Sequence, residues 1–273
     1  MSVEKSFSNW LIVSDIDGTL NNKFRRLPER NKKAIEDFVA KGGRFTLASG
    51  RNAESMEKHF KNLPISGTPA VVINGAGIYD FEKQEMIHFS PMNDSAMDLC
   101  VEVAKKFPLV DVLVIAKDTI YVTGIGWFGK IFVGGNKLSH KCVRHISDVP
   151  RGEWGKVIFS GLPFLIKKIK NRFETSGSED ITTMLSSIAS FEILAADTHK
   201  GTAVLKLAEI LGISNDHTGA IGDYFNDYEM LKSVGVPACC GQAPKELKEV
   251  SEFVACHCNH GAVADFIEYI KNK

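Results

Sequence analysis

Leu11-Ile12-Val13-Ser14-Asp15-Ile16-Asp17-Gly18-Thr19-Leu20 is the stretch from which the rest of the chain can be read. Leu11, Ile12 and Val13 form an apolar run of strand length, too short for a helix. The run ends in two carboxylates, Asp15 and Asp17, and then Gly18. Side chains at i and i+2 of an extended chain point the same way. Asp15 and Asp17 are therefore expected to crowd each other unless a cation sits between them. Gly18 lets the chain leave the strand through backbone angles that other residues resist. Taken alone, Asp-x-Asp-Gly reads first as a polar turn after a strand, and its weight as a site depends on the residues that other strand ends bring beside it.

Beyond Leu20 the chain alternates between helix and strand. Pro28-Glu29 opens a helix with Ala34, Ile35, Phe38 and Val39 on one face, and Gly42-Gly43 end it. Arg44 to Ala48 reads as strand and runs into Ser49-Gly50-Arg51. Met56, His59, Phe60 and Leu63 mark a second helix before Pro64, and Ala70 to Ile73 a third strand before Asn74-Gly75-Ala76. Strand and helix in alternation predict a parallel sheet with helical crossovers. Ligands of such sheets lie beyond the carboxyl ends of the strands, where Asp15, Asp17, Ser49 and Asn74 all fall. The polar loop Asn21 to Leu27, with Lys23, Arg25 and Arg26, reads as a solvated surface loop.

From about Tyr79 to Phe191 the pattern changes. A helix over Asp94 to Phe107 precedes a hairpin turning at Ala116-Lys117-Asp118; further strands fall at Lys156 to Ser160, Thr182 to Leu185 and Phe191 to Ala195, with a helix over Leu165 to Phe173. Alternation then resumes with a helix from Lys200 carrying Val204, Leu205, Leu207, Ala208 and Leu211 inward. A strand over His217 to Ile221 ends in Gly222-Asp223-Tyr224-Phe225-Asn226-Asp227. Shorter elements close the chain. The expectation is an α/β protein: a Rossmann-like core from residues 1–80 and 192–273, with residues 81–191 inserted as an α+β cap domain.

Composition narrows the partners. Lys plus Arg and Asp plus Glu both number 33 in 273 residues, so no global basic field is present to hold nucleic acid or an anionic membrane. No apolar run approaches the roughly 18 residues of a membrane span. Met1 to Asn9 is polar without an apolar signal core. The six cysteines show no paired CxxC spacing and read as reduced thiols. Cys256-His257-Cys258-Asn259-His260 fits no common zinc template and reads as a loop. A cytoplasmic protein is expected, monomeric or a small homo-oligomer.

Four carboxylates, Asp15, Asp17, Asp223 and Asp227, thus fall at strand ends of one sheet. Such a gathering calls for a hard cation, and Mg²⁺ takes a few carboxylates plus waters and phosphate oxygens. Ser49 and Gly50 before a helix, Lys200 at a helix start, and Asn226 are donors suited to a phosphate. Phosphoryl transfer needs little beyond an in-line nucleophile, charge neutralisation and a proton for the leaving oxygen. Singly, Lys200 is a solvated cation and Asp223 to Asp227 the acids of a helix start; jointly they are hard to explain by structure.

In these stretches the chain resembles the haloacid dehalogenase superfamily, in particular its Cof-type hydrolases with a large α+β cap. Asp15 to Leu20, Ser49-Gly50-Arg51, His199-Lys200-Gly201-Thr202-Ala203 and Gly222 to Asp227 with Met230-Leu231 match its four motifs in order, and Asn74-Gly75-Ala76 matches a turn of that branch. The resemblance implies that Asp15 is a nucleophile forming an aspartyl-phosphate and that Asp17 is the general acid and base. Ser49 and Lys200 would hold the phosphoryl group. Asp223, Asp15 and the backbone carbonyl of Asp17 would hold Mg²⁺, with Asn226, Asp227, Asn74 and Gln242 in support. The cap would close over the leaving group of a small phosphorylated metabolite such as a sugar phosphate. One departure stands out: the branch usually shows Met-Gly-Asn-Ala where this chain has Cys240-Gly241-Gln242-Ala243. A phosphomutase shares these motifs, and a receiver-like module phosphorylated on Asp15 is a non-enzymatic alternative, though receivers are shorter and carry no cap.

Overall fold

A computed structural model describes residues 7–61, 63, 65, 67–123, 134 and 138–273. The readings placed on Met1 to Ser6 and on Pro64 lie outside them. The chain forms two compact units, Met1–Ile87 with His199–Lys273, and His88–Thr198.

In the first unit, five strands lie in the order Phe253–Val254, Val236–Cys239, Thr218–Gly222, Leu11–Ser14, Arg44–Leu47, all parallel. The apolar run is the hub because a parallel strand is buried on both faces. Leu11 and Val13 join Val204, Leu207, Ala220, Met230 and Leu231 in one core cluster. Ile12 stands level with Gly219, and a Cβ on Gly219 would come within 2.9 Å of the Phe266 ring. The helix Ala262–Lys271 therefore lies close on that opposite face. Leu205, expected inward, is 38% exposed. The buried stripe of the helix Lys200–Leu211 runs through Lys200, Ala203, Val204, Leu207 and Ala208, and Leu205 is a third of a turn off it.

The third strand departs from the expectation. Ala70–Val72 pairs antiparallel with Gly77–Asp80, which with Glu85–Phe89 makes a separate three-stranded sheet. Its tie to the main sheet is the parallel bridge of Ala48 to Val71. The turn at Ile73, Asn74 and Gly75, with φ of 54°, 54° and 104°, reverses the chain before a crossover helix can start.

The second unit is α+β. Its six strands run in the order Ile181–Ser187, Ser190–Ala195, Trp154–Ser160, Asp111–Ala116, Ile120–Thr123, His140–Cys142. The last pair is parallel and the others antiparallel. The helices Asp94–Lys106 and Pro163–Glu174 bury Ala96, Met97, Val103, Ile166 and Phe173 in one cluster with Val112, Val157, Phe159 and Ile193 of the sheet. Among the described residues no helix is long and apolar enough to cross a membrane.

Candidate active site

The first strand stops at Ser14, so Asp15 and Asp17 escape the shared side of an extended chain. Asp15 N still donates to Ile221 O at 3.0 Å, and Leu20 N then turns back to Asp15 O at 3.2 Å. Gly18 makes this turn at φ +83°, and a Cβ there would fall on the Asp223 carboxylate. The two aspartates do not crowd; each has its own cation. Asp15 pairs with Lys200, and Asp17 with Arg51.

Lys200 begins its helix and is 1% exposed. Its Nζ donates to Asp15 Oδ1 and to Asp227 Oδ1, both at 2.6 Å. Burial works against the ammonium charge, but the two carboxylates outweigh it and hold the Lys200 pKa above its usual value. Burial pushes the Asp15 carboxyl up to about 7, with Lys200 opposing and Asp227 adding to the rise. Asp227 is wholly buried, and its Oδ2 accepts from Asp223 N at 3.1 Å. Burial, then the nearby Asp227, raises Asp223 to about 6, while Thr19, whose hydroxyl donates to Asp223 Oδ1 at 3.2 Å, draws it down.

Oxygens of Asp15, Asp223 and Asp227 lie within 4.8 Å of one another. Three carboxylates against one ammonium leave two negative charges in a buried, all-oxygen pocket, which fits a hard divalent cation. Asp17 stands outside this group and is half-exposed, its Oδ2 2.6 Å from Arg51 Nη2. Asp227, expected among the supporting residues, is itself one of the three.

The phosphate-site candidates come from the next strand. Ser49 is buried, its amide donates to Val71 O at 3.0 Å, and its hydroxyl accepts from Arg51 N at 3.3 Å. Gly50 leaves room for Asn74, whose Oδ1 would lie 2.6 Å from a Cβ there, and Asn74 N donates to Ser49 O at 3.0 Å. A Cβ on Gly75 would strike the His199 carbonyl, so this turn lies against the start of the Lys200 helix. Asn226 sits half-buried in the turn Phe225–Asp227. Gln242 reaches further than its shorter homologue would: Nε2 donates to Gly18 O at 2.6 Å, and Oε1 accepts from Cys258 N at 3.1 Å.

Sequence reasoning gave no role to Arg51, Thr19 or Asn31. Arg51 and Thr19 stood inside quoted motifs. Asn31 gave no signal, yet it is fully buried and links the first loop to the last helix: its Nδ2 donates to Leu20 O and its Oδ1 accepts from Ala264 N, both at 2.9 Å. Cys256, His257, Cys258 and His260 form a loop and do not converge as a ligand set among the described residues.

A parallel α/β core with a carboxylate and lysine centre at its strand ends, interrupted in sequence by an α+β unit, defines the class of haloacid dehalogenase-like enzymes. The chain belongs to that family: residues 12–267 match the family described as haloacid dehalogenase-like hydrolase. It is 28% identical over 284 residues to 5-amino-6-(5-phospho-D-ribitylamino)uracil phosphatase YwtE of Bacillus subtilis (strain 168), covering 95% of this chain and 97% of that one. In fold it resembles a haloacid dehalogenase-like hydrolase from Bacteroides thetaiotaomicron, with TM-score 0.83 and 22% identity over 96% of this chain and 99% of that one. It also resembles a HAD subclass IIB sugar phosphatase, with TM-score 0.78 and 20% identity over 95% and 98% of the two chains.

Proposed function

We propose that this chain is a Mg²⁺-dependent phosphatase that hydrolyses a small phosphorylated metabolite, a sugar phosphate by class, through an aspartyl-phosphate on Asp15. The observation that carries the reading is the buried centre, with Lys200 Nζ 2.6 Å from both Asp15 and Asp227 and Asp223 beside them. Two phosphatases among its relatives and neighbours support the reaction class.

Asp15, Asp223 and Asp227, with the backbone carbonyl of Asp17, are the groups that would hold the cation. When bound, Mg²⁺ supplies charge neutralisation at the phosphoryl oxygens. Ser49, the amides after it and Asn226 orient those oxygens, and Lys200 offsets their charge from the buried side. The Asp15 carboxylate attacks phosphorus; its O–P bond forms as the P–O bond to the leaving group breaks, and Asp17 gives the leaving oxygen a proton. Asp17, now a carboxylate, takes a proton from water as the water oxygen bonds phosphorus and the Asp15 O–P bond breaks. Orthophosphate is released and both carboxyl groups return to their starting states. Release of orthophosphate from a panel of phosphorylated metabolites, with and without Mg²⁺, tests this. Transfer of the phosphoryl group to a second sugar with no orthophosphate would overturn it in favour of a mutase.

A further inference from the structure

The six-stranded sheet of the second unit ends on the strand Ile181–Ser187, and among the described residues no strand pairs with its outer side. An unpaired strand edge is a template for another strand, and proteins blunt such edges with charges, Pro, bulges or short length. Other outer strands of this fold are blunted in those ways. His140–Cys142 and Phe253–Val254 have three and two residues, and Arg44–Leu47 and Glu85–Phe89 open on a charge. Ile181 to Phe191, by contrast, contains no charged residue, no Pro and no Gly. Its bulge lies between Leu185 and Ser187 and leaves Ile181 to Leu185 in regular register. We propose that this edge is a homodimer interface, on which Ile181 to Leu185 pairs antiparallel with the same segment of a second copy, across a twofold axis at Thr183.

The register follows from the ladder already present. Ala196 N donates to Asp180 O at 2.9 Å, one step before the pair of Ile181 and Ala195. Hydrogen-bonded and non-bonded pairs alternate along an antiparallel ladder. Thr182 and Met184 therefore turn their backbone groups to the neighbouring strand, and Ile181, Thr183 and Leu185 turn theirs to the open edge. A twofold axis has to set edge-facing residues opposite edge-facing residues, so it passes through one of these three. Thr183 is the choice that uses the whole regular stretch. Ile181 then stands opposite the partner's Leu185, and Thr183 opposite the partner's Thr183.

The side chains suit that register. Residues directly opposite share a face of the sheet, so apolar meets apolar on either side of a Thr–Thr pair. Thr183 is exposed and Leu185 is 50% exposed, and pairing covers both. Symmetry doubles any charge near the axis, and this segment carries none to repel its own copy. A pairing of five residues is small beside a standard interface, so the dimer is expected to come apart on dilution.

The test uses the full chain. Sedimentation velocity across a dilution series should show a species that shifts from the chain mass towards twice that mass as concentration rises. Hydrogen exchange read residue by residue should slow at the Thr183 and Leu185 amides over the same range, while Thr182 and Met184, already bonded to the neighbouring strand, stay unchanged. Thr183→Lys and Thr183→Glu each set like charges opposite at the axis and should weaken association by roughly fivefold or more. An equimolar mixture of the two variants should associate more tightly than either alone, because Lys then faces Glu. Thermal melts of each variant at low concentration should match the unsubstituted chain, since the substituted side chain is exposed. A single species at the chain mass at every concentration overturns the proposal. So does a dimer that both substitutions leave intact, or a mixture no tighter than its components. If either variant fails to fold, exchange in the unsubstituted chain decides: a Thr183 amide indifferent to concentration overturns the interface.

Discussion

Replacing Lys200 with Met keeps most of its volume and removes the ammonium shared by Asp15 and Asp227. Both contacts are 2.6 Å long, and the lysine and Asp227 side chains are 1% and 0% exposed. Removing one partner of a buried pair costs about 3–5 kcal/mol, because the other charge is left uncompensated. For a chain of this size that is a fall in Tm of roughly 6–20 °C. A second substitution, Asp227→Asn, removes the stranded carboxylate while keeping an acceptor for the Asp223 amide. Lys200→Met/Asp227→Asn is therefore expected to melt well above Lys200→Met alone, with a favourable coupling of about 2–3 kcal/mol. Activity should not follow stability: both variants lose turnover by roughly 100-fold or more on every substrate, since Lys200 acts on charge common to all transition states. Thermal unfolding in EDTA and orthophosphate release in Mg²⁺ measure the two quantities. Additive losses of Tm, or turnover restored along with stability in the double variant, would refute this account of the centre.

Three further outcomes are expected. Asp15→Asn should abolish turnover, because the amide cannot attack phosphorus. In EDTA it should also raise Tm: burial lifts the Asp15 carboxyl from 3.8 to about 7, so its ionised form destabilises the fold, and the gain grows from about pH 4 to pH 7 and levels above. Activity should vanish in EDTA and return with Mg²⁺ but not Ca²⁺, whose larger, looser shell misplaces the nucleophile; Asp223→Ala should weaken the rescue, and full activity in EDTA would contradict the metal's role. Asn31→Ala takes from Leu20 O the donor it has at 2.9 Å, while Ala264 N keeps Gly261 O at 3.0 Å, at a cost of about 1–3 kcal/mol. A thermal melt unchanged within 1–2 °C, roughly half a kcal/mol, would show that Leu20 O finds another partner.

The fold was legible wherever a local signal marks a boundary. Pro28 and Gly42-Gly43 bracket the helix Glu29–Ala40, and Ala116-Lys117-Asp118 turns a hairpin closed by Ala116 N to Thr119 O at 2.9 Å. The hairpin of Gly77–Asp80 and Glu85–Phe89 was missed because Phe81 to Gln84 holds no Gly or Pro; Gln84 itself takes the left-handed turn at φ 58°. The short helix Lys245–Glu249 has too few residues to show a period. Within the site, the motif residues could be named from the sequence but their pairing could not. That Asp227 is a direct partner of Lys200, and Arg51 of Asp17, depends on contacts between segments far apart in the chain.

The separation of Asp15 from Asp17 carries the chemical sense of the site. Two carboxylates two residues apart would share one side of the chain if the strand continued. Ending the strand at Ser14 and turning at Gly18 sends one inward and one outward. Asp15 is then buried against an ammonium and two further carboxylates, an environment that suits a cation and a nucleophile. Asp17 is half-exposed against a guanidinium. Environments that differ this much are how two identical side chains come to hold different roles. Here the difference is produced by one glycine and by two cations that come from opposite ends of the core sequence, Arg51 before the inserted unit and Lys200 after it.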